Sequence, residues 1–258
     1  LYGFIFGVKT LEGSFSYLLT NQKAKANDFR NEIEKANLRF QLIDEDGSIV
    51  SEFGAEDGDI VSVQWIHDED STSDGGYNPG PPTTIRINDR LKHESEYKIR
   101  ETLTHEMQHA LDFQTGQVDS NIIQSPYDTI DNSTWQMMND DELSSYDWSA
   151  LEKDLESSSY EVVKTEIHAW DRGYSFDPKQ NPSENLLNMD QNYTPEECKF
   201  VLNDRDYASL YFEKNIQDSF AEKGLNVDAD VYWDNNSNQI HVDILNVEHL
   251  PIMDGYYA

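Results

Sequence analysis

Apolar residues along this chain recur with two different periods, and the change of period marks out the elements. KAKANDFRNEIEKAN (23–37) places Phe29 and Ile33 one turn apart and predicts a helix. LRFQLID (38–44) alternates apolar and polar positions as a strand does, and ends at the turn-like DEDG. DIVSVQWIHD (59–68) reads as a second strand. A loop rich in Asp, Ser, Gly and Pro separates it from a third, TTIRIND (83–89). From Glu94 the period becomes helical through Phe113, with Gly116 as the stop. SYEVVKTEIHAWDRG (159–173) predicts a second helix that closes at Gly173.

Between these helices, residues 117–158 are polar and rich in Asp, Asn and Ser, and read as a long loop or lid with short helical pieces. Tyr127, Trp135 and Trp148 within it are expected to anchor that loop to its own core rather than line a pocket. Further on, Thr194, Pro195 and Glu197 form a capping box that opens a C-terminal helix. DADVYWD and QIHVDILNV then flank NNSN as a β-hairpin. The opening LYGFIFGVKT lacks a basic leader and a cleavage pattern, so it reads as a first strand. Because the chain opens on Leu, a processed or trimmed terminus is expected. The pattern predicts an α+β fold in one domain over 1–258, its core at about 24–173. In that core a small mixed sheet packs on the 94–113 helix and on a second helix. The C-terminal helix and hairpin occupy 194–258.

Composition narrows the partners. With 258 residues the chain can bury a substantial core. Its 19 Lys and Arg against 50 Asp and Glu give a net charge of −31. Such a surface repels nucleic acid and anionic membranes, so neither is expected as a partner. No apolar run reaches membrane-spanning length, and a soluble protein is expected. A single cysteine, Cys198, excludes an internal disulfide framework and a cysteine-based zinc site. Any metal must therefore sit on histidines and carboxylates.

TLTHEMQHALDF (102–113) supplies the histidines. A helix brings positions i and i+4 onto one face, so His105 and His109 can reach one ion. Ile99, Leu103, Met107, Ala110 and Leu111 make an apolar stripe, and the histidines point to roughly the other side. Zinc accepts imidazole nitrogen, and a catalytic site keeps three protein ligands and one open position. Glu106, beside the first histidine, can take a proton from water held there. The competing interpretation is a solvated helix face on which the pair is merely exposed.

The third ligand is sought in SYEVVKTEIHAW, because the positions six and three residues past His109 are Thr115 and Asp112 rather than His and Gly. Val162, Val163, Ala169 and Trp170 make that helix's apolar face with Glu166 at its centre. A carboxylate buried there costs several kcal/mol unless it is paired or holds a metal. Glu166 is therefore the expected ligand. Pairing with an arginine is the competing role. Glu161 and His168 fall on a flank with Lys164 and Thr165, where water is expected to reach them, and His168 is the alternative ligand.

HEMQH at 105–109 and EIHAW at 166–170, in this order of strands and helices, resemble the gluzincin metallopeptidases, the thermolysin-like group. Glu166–x–x–Ala169 is similar to the second-helix signature of small HExxH peptidases of bacteria and mobile elements. The resemblance covers about residues 24–173. It implies a zincin-like core, one Zn2+ per chain on His105, His109 and Glu166, and Glu106 as general base. It also places an Asp four residues after the Glu ligand, where this chain has Trp170, with Asp112 and Asp171 as weak substitutes.

The expected activity is zinc-dependent endopeptidase hydrolysis of a protein or peptide. Its substrate would be held extended along TTIRIND, and Tyr160, His168, Arg172 or Tyr174 would serve as oxyanion donor. The alternative is a non-catalytic, metal-stabilised structural or interaction domain with an acidic surface. A third possibility, an acidic cation-binding module, has only DEDG at 44–47 and DQNYTPEE at 190–197 behind it, and neither carries the full ligand spacing.

Overall fold

The computed structural model describes residues 11–68, 73–118, 120–130, 135–176, 198–199, 201–202 and 208–250. The strand expected at 1–10, the capping box at 194–197 and the 190–197 loop lie outside these residues. The fold is α+β, as the sequence predicts. By internal packing the chain forms two compact units, one of residues 1–118 and 165–191, the other of 119–164 and 192–258.

The first unit opens with α1 (Leu11–Thr20) and α2 (Ala24–Lys35). Five strands follow: β1 (Leu38–Ile43), β2 (Ile49–Gly54), β3 (Asp59–Ile66), β4 (Gly75–Asn78) and β5 (Thr84–Asn88). A 3-10 turn (Asp89–His93) leads into α3 (Glu96–Thr115). The sheet order is β2-β1-β3-β5-β4. β1, β3 and β5 run parallel, with Phe40 opposite Val61 and Val63 opposite Ile85. β2 and β4 close the two sides antiparallel.

Period-two alternation puts Leu38, Phe40, Leu42, Val61, Val63, Ile85 and Ile87 on one buried face. Ile99, Leu103, Met107, Ala110 and Leu111 of α3 pack with that face, together with Phe15 of α1 and Phe29 and Ile33 of α2. The apolar stripe of α3 thus faces the sheet, and its other side is left for chemistry.

Three elements of this unit differ from expectation. α1 carries Leu11, Phe15 and Leu18 at helical spacing and is fully packed, in a stretch assigned no element from sequence. β2 follows the DEDG turn in a stretch assigned no element from sequence, and β4 lies within the segment expected as a loop. TTIRIND is consequently an inner strand, flanked by β3 and β4, and the edge belongs to β4. The DEDG stretch is the β1–β2 turn: the Asp44 carboxylate accepts the Ser48 N–H at 2.8 Å, and Asp46 accepts it at 3.0 Å.

In the second unit, α4 (Ser120–Thr129), a 3-10 turn (Trp135–Met137) and α5 (Asp140–Ser144) occupy the polar stretch expected as a long loop with short helical pieces. α6 (Ser149–Ser175) starts ten residues before the predicted helix and ends in the first unit. Leu151 and Leu155, one turn apart and buried, carry that extension. α7 (Ala208–Ala221) packs on the hairpin of β6 (Leu225–Asp234) and β7 (Gln239–His249). Trp135 and Trp148 are buried against Phe220, as anchors.

A two-stranded hairpin exposes backbone N–H groups on both edges, and here carboxylates take them up. Glu152 accepts from Ile244 N at 2.9 Å, Glu213 from Val231 N at 3.2 Å and Asp140 from His249 N at 3.0 Å. Part of the acidic composition therefore does structural duty. Among the described residues no helix is long and apolar enough to cross a membrane.

Leu103, wholly buried between α3 and the sheet, tests this packing. Leu103→Ala is expected to cost about 2–5 kcal/mol, seen as a lower denaturant midpoint with an unchanged slope.

Candidate metal centre

α3 is set by its ends. Ser95 caps it by accepting the Lys98 N–H at 3.2 Å, and Gly116 closes it. Once the apolar stripe is on the sheet, His105 and His109 share the opposite face and meet α6. His105 Nε2 and His109 Nε2 lie 3.1 Å apart. The Glu166 carboxylate spans them, one oxygen 3.4 Å from His105 Nε2 and the other 3.2 Å from His109 Nε2.

Those separations can be set against a metal directly. Four-coordinate zinc with bonds of roughly 2.0–2.1 Å requires donor atoms about 3.3 Å apart along each tetrahedral edge. The imidazole nitrogens lie 3.1 Å apart, close to that edge, each faces a different Glu166 oxygen at 3.2–3.4 Å, and together they supply the borderline-soft donor set zinc takes. The residues present therefore fit the ion. His105 is buried and His109 nearly so, which removes the reading of a solvated face. Glu166 is about a third exposed rather than fully buried, so one side of the group opens to water.

The electrostatics favour positive charge at this point. Burial works against a charged His109, but the Glu166 carboxylate outweighs it and raises the imidazole to about 9. Burial likewise opposes ionisation of Glu166, and His109 with His105 overcomes it, holding the carboxyl well below its usual range.

Glu106 stands beside the group, its carboxyl 4.0 Å from His105 Nε2. Burial first, then the charges of Glu166 and Asp74 against the relief from His109, raise it to about 8. Its other neighbour is β4. A Cβ built on Gly75 would lie 2.9 Å from Glu106 Oε1 and 2.9 Å from the Thr102 methyl, so only glycine allows the edge strand this close. Gly75 was hidden in sequence inside a loop-like SDGGYN.

α6 presents Glu166, Trp170 and Tyr174 in one stripe at four-residue spacing. The Trp170 ring packs 4.3 Å from that of His105, with the Lys98 ammonium 5.6 Å from the indole and Tyr174 5.5 Å from it. Thus where the resemblance placed an aspartate, an indole fixes the histidine by packing.

His168 is corrected. It is buried, not washed by solvent, and its Nδ1 lies 2.8 Å from Asp112 Oδ2. Gln108 Nε2 donates to the other Asp112 oxygen at 2.7 Å, and Arg172 Nε donates to Gln108 Oε1 at 2.7 Å. Arg172 continues to Glu32 on α2 at 2.5 Å. This chain of charge-assisted bonds ties α3, α6 and α2 together and engages His168 and Arg172. Asp112 serves it too, and Asp171 is buried on the same helix. Glu161 forms an ion pair with Lys164 at 3.0 Å in the second unit, where Tyr160 also lies. A search against protein-family profiles, curated proteins and solved structures found no match for this chain.

The shifts on Glu106 and His109 act in one direction. Each binds its proton more tightly folded than unfolded, Glu106 at about 8 against 4.5 and His109 at about 9 against 6.5. That proton uptake favours the fold at low pH and is lost as pH rises through these values. Metal-free protein is expected to melt at progressively lower temperature from pH 6.5 to 9, and apparent zinc affinity to rise over the same interval as His109 gives up its proton.

Proposed function

We propose that this chain is a zinc-dependent peptidase of gluzincin type, with His105, His109 and Glu166 as ligands and Glu106 as general base. The observation that carries the reading is the cluster of His105, His109 and Glu166, their ligand atoms within 4.8 Å of one another, with a buried glutamate next to it, in the sequence order HExxH and then Glu. A purely structural metal site needs no buried acid beside its ligands, and burying one is costly.

Zinc, when bound, supplies a Lewis acid that acidifies water and polarises a carbonyl. Glu106 becomes the carboxylate once positive charge rests on the three ligands, takes a proton from the attacking water and passes it to the leaving amine. β4, rather than TTIRIND, is the outermost strand among the described residues and its Gly75 lies against Glu106, so an extended peptide would add along β4 by main-chain hydrogen bonds. Of the four residues considered for the oxyanion, Tyr174 stands on the same α6 stripe as Glu166, while His168 and Arg172 serve the buried network.

Elemental analysis paired with digestion of a peptide library tests this reading. Wild type is expected to carry about one zinc per chain, Glu166→Ala to lose it, and Glu106→Gln to keep it while losing roughly 10²–10⁴-fold in kcat/KM. Retained zinc with no cleavage by wild type would favour the structural domain instead.

A further inference from the structure

Cationic groups are scarce in this chain, yet three of them converge at one cavity of the first unit, lined in part by the opening turns of the helix that carries HExxH. The cavity encloses about 420 Å³ between α1, α2, the first turns of α3 and the end of α6. Lys23, Lys25 and Arg100 line it, with Tyr17 and Tyr97 as aromatic walls and Glu96 as the one acid among the lining residues.

Two observations point independently to an anion. First, the cavity lies at the N-terminus of α2, a twelve-residue helix whose opening is the reverse of the usual one. Its N-cap is Lys23, whose side chain has no acceptor to offer the first-turn N–H groups, and that turn holds no acid. Ala26 and Asn27 both turn back to the Lys23 carbonyl at 3.1 Å. A positive dipole end flanked by two lysines favours negative charge. Second, Arg100 is only 3 % exposed, and its buried Nε has no hydrogen-bond partner. The guanidinium is stacked 3.5 Å over Tyr17, with Tyr97 at 5.6 Å. One arm reaches Glu96 at 2.5 Å, which leaves part of the donor fork unused. Lys25 is held at the rim by the Ser175 carbonyl at 3.3 Å.

We infer that this cavity binds the oxyanion group of a small molecule, a carboxylate or a phosphate, on Arg100, Lys23, Lys25 and the α2 N-terminus. Glu96 pairs with one side of the guanidinium and so orients it, and the tyrosine rings accommodate the body of the ligand. The inference does not depend on the peptidase reading, since it shares no residue with the metal centre.

Calorimetric titration of inorganic phosphate into the full chain, at ionic strength held constant with chloride, tests it. Wild type is expected to bind one phosphate per chain, the double variant Lys23→Gln/Lys25→Gln at least tenfold more weakly, and Arg100→Met not measurably. The lysines are exposed, so the double variant keeps the test valid should Arg100→Met fold poorly. Glu166→Ala is expected to bind phosphate as wild type does, which separates this site from an ion on the metal ligands. A parallel titration with acetate assigns the class, the tighter of the two anions naming it. No binding beyond that of chloride, or equal binding by the double lysine variant, would overturn the inference.

Discussion

Everything at the candidate metal centre depends on how α3 lies against α6. Two of the proposed ligands come from one helix and the third from another, so a slip of one residue between them would carry Glu166 out of reach. The register is fixed by the buried chain His168–Asp112–Gln108–Arg172, which runs on to Glu32. Each donor in it meets an acceptor, the condition under which a buried polar network holds one arrangement instead of weakening the core. Close approach is permitted by Gly173: a Cβ there would lie 2.9 Å from the Glu101 carbonyl of α3. Gly173 was read as a helix stop; it sits inside α6 because the neighbouring backbone needs the space.

The same packing explains the chemistry of the individual groups. With its apolar stripe on the sheet, α3 has its polar side covered as well, and Glu106, His105 and Gln108 are all buried. Burial and a nearby carboxylate raise Glu106, while two imidazoles lower Glu166. Two glutamates of one site thus have opposite tendencies, as the acid–base and ligand roles proposed for them require.

Much of this was legible in the chain. HEMQH is local, and four-residue spacing on a helix determines its geometry without help from the rest of the fold. The inner strands and the hairpin announced themselves by alternation, and Glu166 by its position amid apolar neighbours. What stayed hidden depends on a second element. His168 looks solvent-facing on a single helical wheel, and it is buried because Asp112 of α3 lies opposite. β4 is four residues with two glycines, too short and too poor in side chains to show a period, and is defined by pairing with β5. The first ten residues of α6 carry only Leu151 and Leu155 against a polar background, so their helix was masked by composition. Several carboxylates of the acidic surface accept backbone N–H groups along the hairpin, a role that net charge does not reveal.

The central claim is that one ion is bound jointly by both helices. Crystals grown with zinc and measured on either side of its absorption edge would test it most directly. The account predicts a single strong anomalous peak about 2.0–2.2 Å from His105 Nε2, His109 Nε2 and a Glu166 carboxylate oxygen. A peak elsewhere, or none at full zinc saturation, would contradict it.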